Sequence, residues 1–140
     1  MRIDIDVRGA TRTASHFVEM HRRLAQPKPA LDDVADYWRQ REQRRFTTAG
    51  DGTWQPLAES TVKRKGHARI LFDTGRGMAS LTRKGAPGSV ARITGATLQF
   101  GTSIYYLRFA AKRRPLFNVT ATDRRAIAGR VTAYLMGAFD

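Results

Sequence analysis

The residues best placed to do chemistry run Ile70-Leu71-Phe72-Asp73-Thr74-Gly75. Two apolar side chains followed by Asp-Thr-Gly would hold a carboxylate at the end of a hydrophobic segment. Acid–base chemistry on such a group needs a second carboxylate in the same close-packed site, because two acids sharing one proton divide the roles of acid and base. No second motif of that kind is evident in the chain, and Arg76 stands close by, where a cation would favour loss of the shared proton. No Ser/His/Asp set, metal cluster or phosphate-binding loop competes, and the chain has no cysteine to supply a thiolate or a disulfide. His21 falls near an apolar helical stripe with no Asp, Glu or His at ligand spacing, so it reads as a partly buried structural histidine. The expectation is a protein without catalytic residues, cofactor or metal.

Charge is the stronger signal. The 140 residues carry 25 Lys and Arg against 12 Asp and Glu, a net charge of +13. Residues 31–60 hold 4 basic and 6 acidic side chains, residues 61–90 hold 7 and 1, and residues 91–140 hold 8 and 2. The excess therefore belongs to the C-terminal part and implies a basic surface for nucleic acid or an acidic protein. Its candidate contact residues are Lys63, Arg64 and Lys65, then Arg83 and Lys84, Arg92, and Lys112, Arg113 and Arg114. Aromatics are few for a base-stacking platform, and no recognised nucleic-acid motif appears. No apolar run approaches the length of a membrane span, and Met1 to Val7 alternates apolar with charged residues, unlike a signal peptide.

The elements that must position these side chains can be read in order. Ile3, Ile5 and Val7 alternate with Asp4 and Asp6 as in a half-buried strand. Thr11 or Thr13 is expected to cap a helix whose apolar face is Ala14, Phe17, Val18, His21, Leu24 and Ala25, stopped by Pro27 and Pro29. A second helix spans about 31–46, with Arg39, Arg41, Arg44 and Arg45 complementing the dipole at its end. Gly50-Asp51-Gly52 is a turn, and Trp54 after it needs a pocket against the helix ending at Phe46. A short helix near 58–64 follows, and Asp73 or Thr74 is expected to cap another short helix or turn, with Gly75 at an unusual backbone angle. Residues 82–88 form a basic loop that is mobile by composition. Gly95-Ala96 reads as a two-residue hairpin tip pairing Ile93 with Leu98 and Ala91 with Phe100 on one face, Arg92 with Gln99 on the other. Thr120 or Thr122 caps the last helix. The pattern predicts one α+β domain over 1–140, with helices packed on one face of a small antiparallel sheet.

The central stretch resembles the phage virion morphogenesis family, the tail-completion or neck proteins. Its matching pieces, in order, are the helix ending at Phe46, then Trp54-x-Pro56-Leu57, Ser60-Thr61, Lys65, Leu71-x-Asp73-Thr74-Gly75 and Ser80-Leu81. A strand pair, Tyr105-Tyr106 and Arg114-Pro115-Leu116-Phe117 before a closing helix complete the set, which covers roughly residues 30–137. The resemblance implies a non-enzymatic virion protein at the head–tail junction, assembled in the host cytoplasm. It would form a homo-oligomeric ring, six-fold by expectation, around the DNA channel, between neighbouring connector and tail proteins. The alternative from another class is a small basic nucleic-acid-binding protein. A minor alternative is a retroviral-type aspartic protease, since Asp73-Thr74-Gly75 also looks like that family's active-site strand; three convincing helices in a fold that should be nearly all strand argue against it.

Overall fold

A computed structural model describes residues 8–137, with side chains from residue 14 onward. Two long helices come first, α1 (Arg8–Ala25) and α2 (Lys28–Thr47). Two short ones follow, α3 (Glu59–Lys65) and α4 (Arg76–Thr82). A hairpin of β1 (Ser89–Thr94) and β2 (Thr97–Thr102) precedes α5 (Tyr105–Ala110) and α6 (Ala121–Met136). The protein is α+β, as the sequence pattern predicts. The strand expected over residues 3–7 lies outside the described residues.

The hairpin has the register its sequence dictates: Ile93 faces Leu98, Ala91 faces Phe100, Arg92 faces Gln99 and Thr94 faces Thr97. Gly95 opens the turn at φ +57, where a side chain would be strained. Both covering helices lie on the face that carries Leu98, Phe100 and Thr102. Ser80 of α4 meets the Thr102 hydroxyl at 2.7 Å, and the Arg39 guanidinium of α2 stands 5.8 Å over the Phe100 ring. On the opposite face Arg92, Thr94, Thr97 and Gln99 are exposed.

The core sits where the central stretch folds back on itself. Trp54, Leu81, Leu107 and Leu116 are buried together, with Phe46, Ile70, Leu71 and Phe100 packed around them. Pro56 is exposed and Leu57 half-buried, so the step after Trp54 lies at the margin of this core. Leu71 takes φ +55, a left-handed angle that an apolar L-residue holds only when packing over-determines it.

Helices α1, α2 and α6 form the second layer. Buried Ala30, Val34, Ala35 and Trp38 make an i, i+4 seam along α2. Beyond Trp38 the seam turns ionic, because Arg39, Glu42 and Arg45 are also buried. This corrects the expectation that the arginines at the end of α2 serve the helix dipole from the surface. Arg45 donates to Glu42 Oε1 at 3.0 Å and to the Asn118 carbonyl, tying α2 to the segment before α6. Burial pushes the Glu42 carboxyl up, against the pull of Arg45 and Arg41.

Three further expectations need correction. The helical run of α1 already includes Arg8, so Thr11 and Thr13 lie inside it and not at its start. His21 is exposed, as is the apolar face it shares: Phe17, Val18 and Leu24 are 63%, 71% and 56% exposed. Finally, Gly75 at φ +81 occupies the capping position of α4 and Asp73 is exposed without capping it, while the Thr74 hydroxyl accepts from the Arg76 N–H at 3.4 Å, so the expectation holds for Thr74 alone.

Candidate interface

The carboxylates and cations of this protein are sorted between its two layers. In the helical layer Arg22 and Arg23 meet Glu19, Lys28 meets Asp32, Arg39 meets Asp36, and Arg130 meets Asp33 at 2.8 Å. Arg41 bridges Asp51 at 3.0 Å and Asp123 at 3.1 Å, and Arg44 stands near Asp51. Residues 52–119 differ sharply: 12 Lys and Arg face 2 carboxylates, Glu59 and Asp73. Among the described residues, neither of those two forms an ion pair.

Geometry divides the nine expected contact residues. Lys63 and Arg64 project from α3 into solvent, and Lys65 turns partly inward. Arg83 and Lys84 are exposed at the end of α4, in a loop built from two successive turns closed by Ala86 N to Arg83 O and Ser89 N to Ala86 O. Arg92 is exposed on the outer face of the hairpin. Lys112 and Arg113 are exposed after α5, with the Lys112 ammonium 5.9 Å from the Phe109 ring. Arg114 is a correction: its guanidinium donates to the Gln55 and Pro56 carbonyls at 3.0 and 3.5 Å, so it staples the loop after Trp54 instead of standing free.

Two concavities flank the turn at residues 73–76. One, of about 590 Å³, runs along α4 from Gln43 and is framed by Arg69, Arg76 and Arg83. The other, of about 450 Å³, is lined by Lys65, Asp73, Arg76, Tyr106 and Ala110. They share Thr74, Gly75 and Arg76 as a common rim; Arg83 lines the first and Lys65 the second. Lys84, Arg92, Lys112 and Arg113 line neither. Sequence reasoning missed Arg69 and the role of Arg76. Arg76 opens α4 and Arg83 follows its last residue in an extended conformation, so helical spacing alone does not announce that both line one concavity. Nothing in the sequence places Arg69, whose guanidinium stacks 3.6 Å over the Phe72 ring.

Asp73 is exposed, precedes a helix instead of ending a strand, and has no carboxylate partner among the residues lining its concavity. No group of three or more metal-ligating side chains is present among the described residues, and no described helix is long and apolar enough to cross a membrane. No protein-family model, curated protein or solved structure matches the chain.

Proposed function

We propose that this chain is a non-enzymatic structural subunit of a phage head–tail junction, closing with copies of itself into a ring around the DNA channel. The resemblance carried by residues 46–81 suggests the class. The observation that supports a ring-former is the uncovered face of α1. Its inner side is fastened to α6, where Arg23 donates to the Tyr134 carbonyl at 2.6 Å and the Tyr134 hydroxyl donates to the Gln26 carbonyl at 2.6 Å. Its outer side leaves Phe17, Val18 and Leu24 in solvent, with Met136 of α6 also 62% exposed. A helical stripe of large apolar residues left in solvent marks an association surface. A repeated contact of one patch against a different patch closes into a ring when the rotation closes. The unpaired cationic half would then face the channel or the acidic surfaces of adjoining connector and tail proteins.

Native mass spectrometry with negative-stain imaging tests the reading. The expected result is a closed ring of identical subunits. Phe17→Glu with Leu24→Glu should yield monomers of unchanged helical content, since neither side chain is part of the packed core. A wild-type chain that stays monomeric, both alone and mixed with purified tails, would sink the proposal.

A further inference from the structure

We infer that the groove along α4, framed by Arg69, Arg76 and Arg83, holds the phosphate backbone of double-stranded DNA. The three arginines come from the loop before Phe72, the first residue of α4 and the extended residue after it, yet line one concavity. None has a carboxylate partner among the described residues, whereas Arg22, Arg23, Arg39, Arg41, Arg45 and Arg130 each do. Arg64, Arg92, Arg108, Arg113, Arg124 and Arg125 also lack a carboxylate partner among the described residues, but none of them lines this concavity. Three left open in one groove form a positive site that concentrates anions.

The chemistry of the groove selects phosphate. Arg69 is held flat against Phe72 at 3.6 Å, which orients its N–H edge without consuming its donors. A planar fork so oriented matches two oxygens of one phosphate. Gln43 adds an uncharged donor at the groove's end. Single-stranded nucleic acid would require free aromatic faces for its bases. The groove has none: the Phe72 face is covered by Arg69, and His67 meets the same ring edge-on at 5.7 Å. A duplex, whose bases are stacked inside and whose phosphates are outside, needs only the cations.

The described part of a second copy offers the groove few free carboxylates. Among the described residues, Glu19, Asp32, Asp33, Asp36, Glu42, Asp51 and Asp123 all pair with cations of their own subunit. Of the described carboxylates that leaves Glu59 and Asp73, too few to neutralise the groove of a neighbour. The inference concerns the isolated subunit and stands whether or not the subunit closes into a ring.

Fluorescence anisotropy of a labelled mixed-sequence duplex, titrated with the full chain across a salt series, tests it. Each phosphate contact contributes about −0.9 to the slope of log K against log salt, so Arg69→Gln, Arg76→Gln and Arg83→Gln together should reduce the slope by about 2.7 per subunit. Arg83→Gln alone, at an exposed position that packs against nothing, should reduce it by about 0.9 and keeps the test valid if the triple variant melts early. Arg124→Gln with Arg125→Gln, exposed on α6 away from the groove, should leave the slope unchanged. Equal effects from the two sets would overturn the inference. So would tighter binding of single-stranded DNA, or binding of polyglutamate as strong as that of the duplex, which would mark the groove as a site for acidic protein.

Discussion

Trp54→Ala is expected to lower stability by about 3–5 kcal/mol, the range for truncating a buried aromatic in a close-packed core. The indole is 5% exposed and central to the cluster of Leu81, Leu107 and Leu116. Its ring meets Phe46 edge-on at 5.7 Å, an arrangement that contributes beyond area alone. Its Nε1 donates to the Pro115 carbonyl at 3.2 Å, so truncation also strips a carbonyl of its partner. The chain is shaped around this ring: a Cβ on Gly50, at φ +69, would lie 2.4 Å from the indole Cδ1. Neighbouring backbone cannot collapse into the space, because the 49–54 loop is fixed by Gly50 N to Arg45 O and Trp54 N to Ala49 O. Denaturant midpoints with m-values will measure the loss. Trp54→Phe, which keeps the ring but orphans Pro115 O, should cost about 1–3 kcal/mol. An unchanged midpoint for Trp54→Ala would make the tryptophan a contact residue, not a core residue.

Trp54 was legible because an indole among turn residues has few places to go. The hairpin was legible for a stricter reason: a two-residue tip at Gly95-Ala96 fixes the register, and a period of two then fixes which side chains face inward. The cap of the last helix was legible as Thr120 or Thr122; the structure selects Thr120, which forms a reciprocal capping box with Asp123. What failed depends on contacts between distant segments. Phe17, Val18 and Leu24 follow a core-facing period, and only the placement of α6 reveals that α1 turns that face outward. Arg39 and Arg45 look like surface charges until Phe100 and Asn118 are seen to take them in. The α4 groove needs Arg69 brought against Arg76 and Arg83 by a loop that passes through Leu71 at positive φ, a conformation its sequence does not announce.

Asp123→Ala should cost about 3–5 kcal/mol at neutral pH, because it removes the carboxylate around which α2 and α6 are joined and leaves Arg41 with one partner fewer. Asp123 is 1% exposed. Its Oδ1 accepts from the Tyr37 hydroxyl at 2.6 Å and from Arg41 Nε at 3.1 Å. Its Oδ2 accepts from the Thr120 backbone N–H at 2.9 Å and the Thr120 hydroxyl at 2.7 Å. Burial acts to raise its pKa, but the Tyr37, Thr120 and Arg41 hydrogen bonds outweigh burial and hold the carboxyl far below the usual carboxylate range. A carboxyl depressed in the folded state contributes stability that is fully present above its unfolded value of about 3.9 and is lost as pH falls below it. Glu42 works with the opposite sign: burial raises it, so the folded state gains relative stability as Glu42 protonates. Glu42 therefore offsets part of the acid sensitivity that Asp123 confers, to which the lowered Glu19 and Asp51 carboxyls add. The difference between wild type and Asp123→Ala should be largest near neutrality and shrink steadily below about pH 4, as the unfolded chain's carboxyl takes up a proton that the folded carboxylate does not. Thermal and denaturant unfolding at neutral and acid pH will measure that difference. A constant difference across the range would assign the effect of Asp123 to the shape of the helix cap and remove its charge from the account.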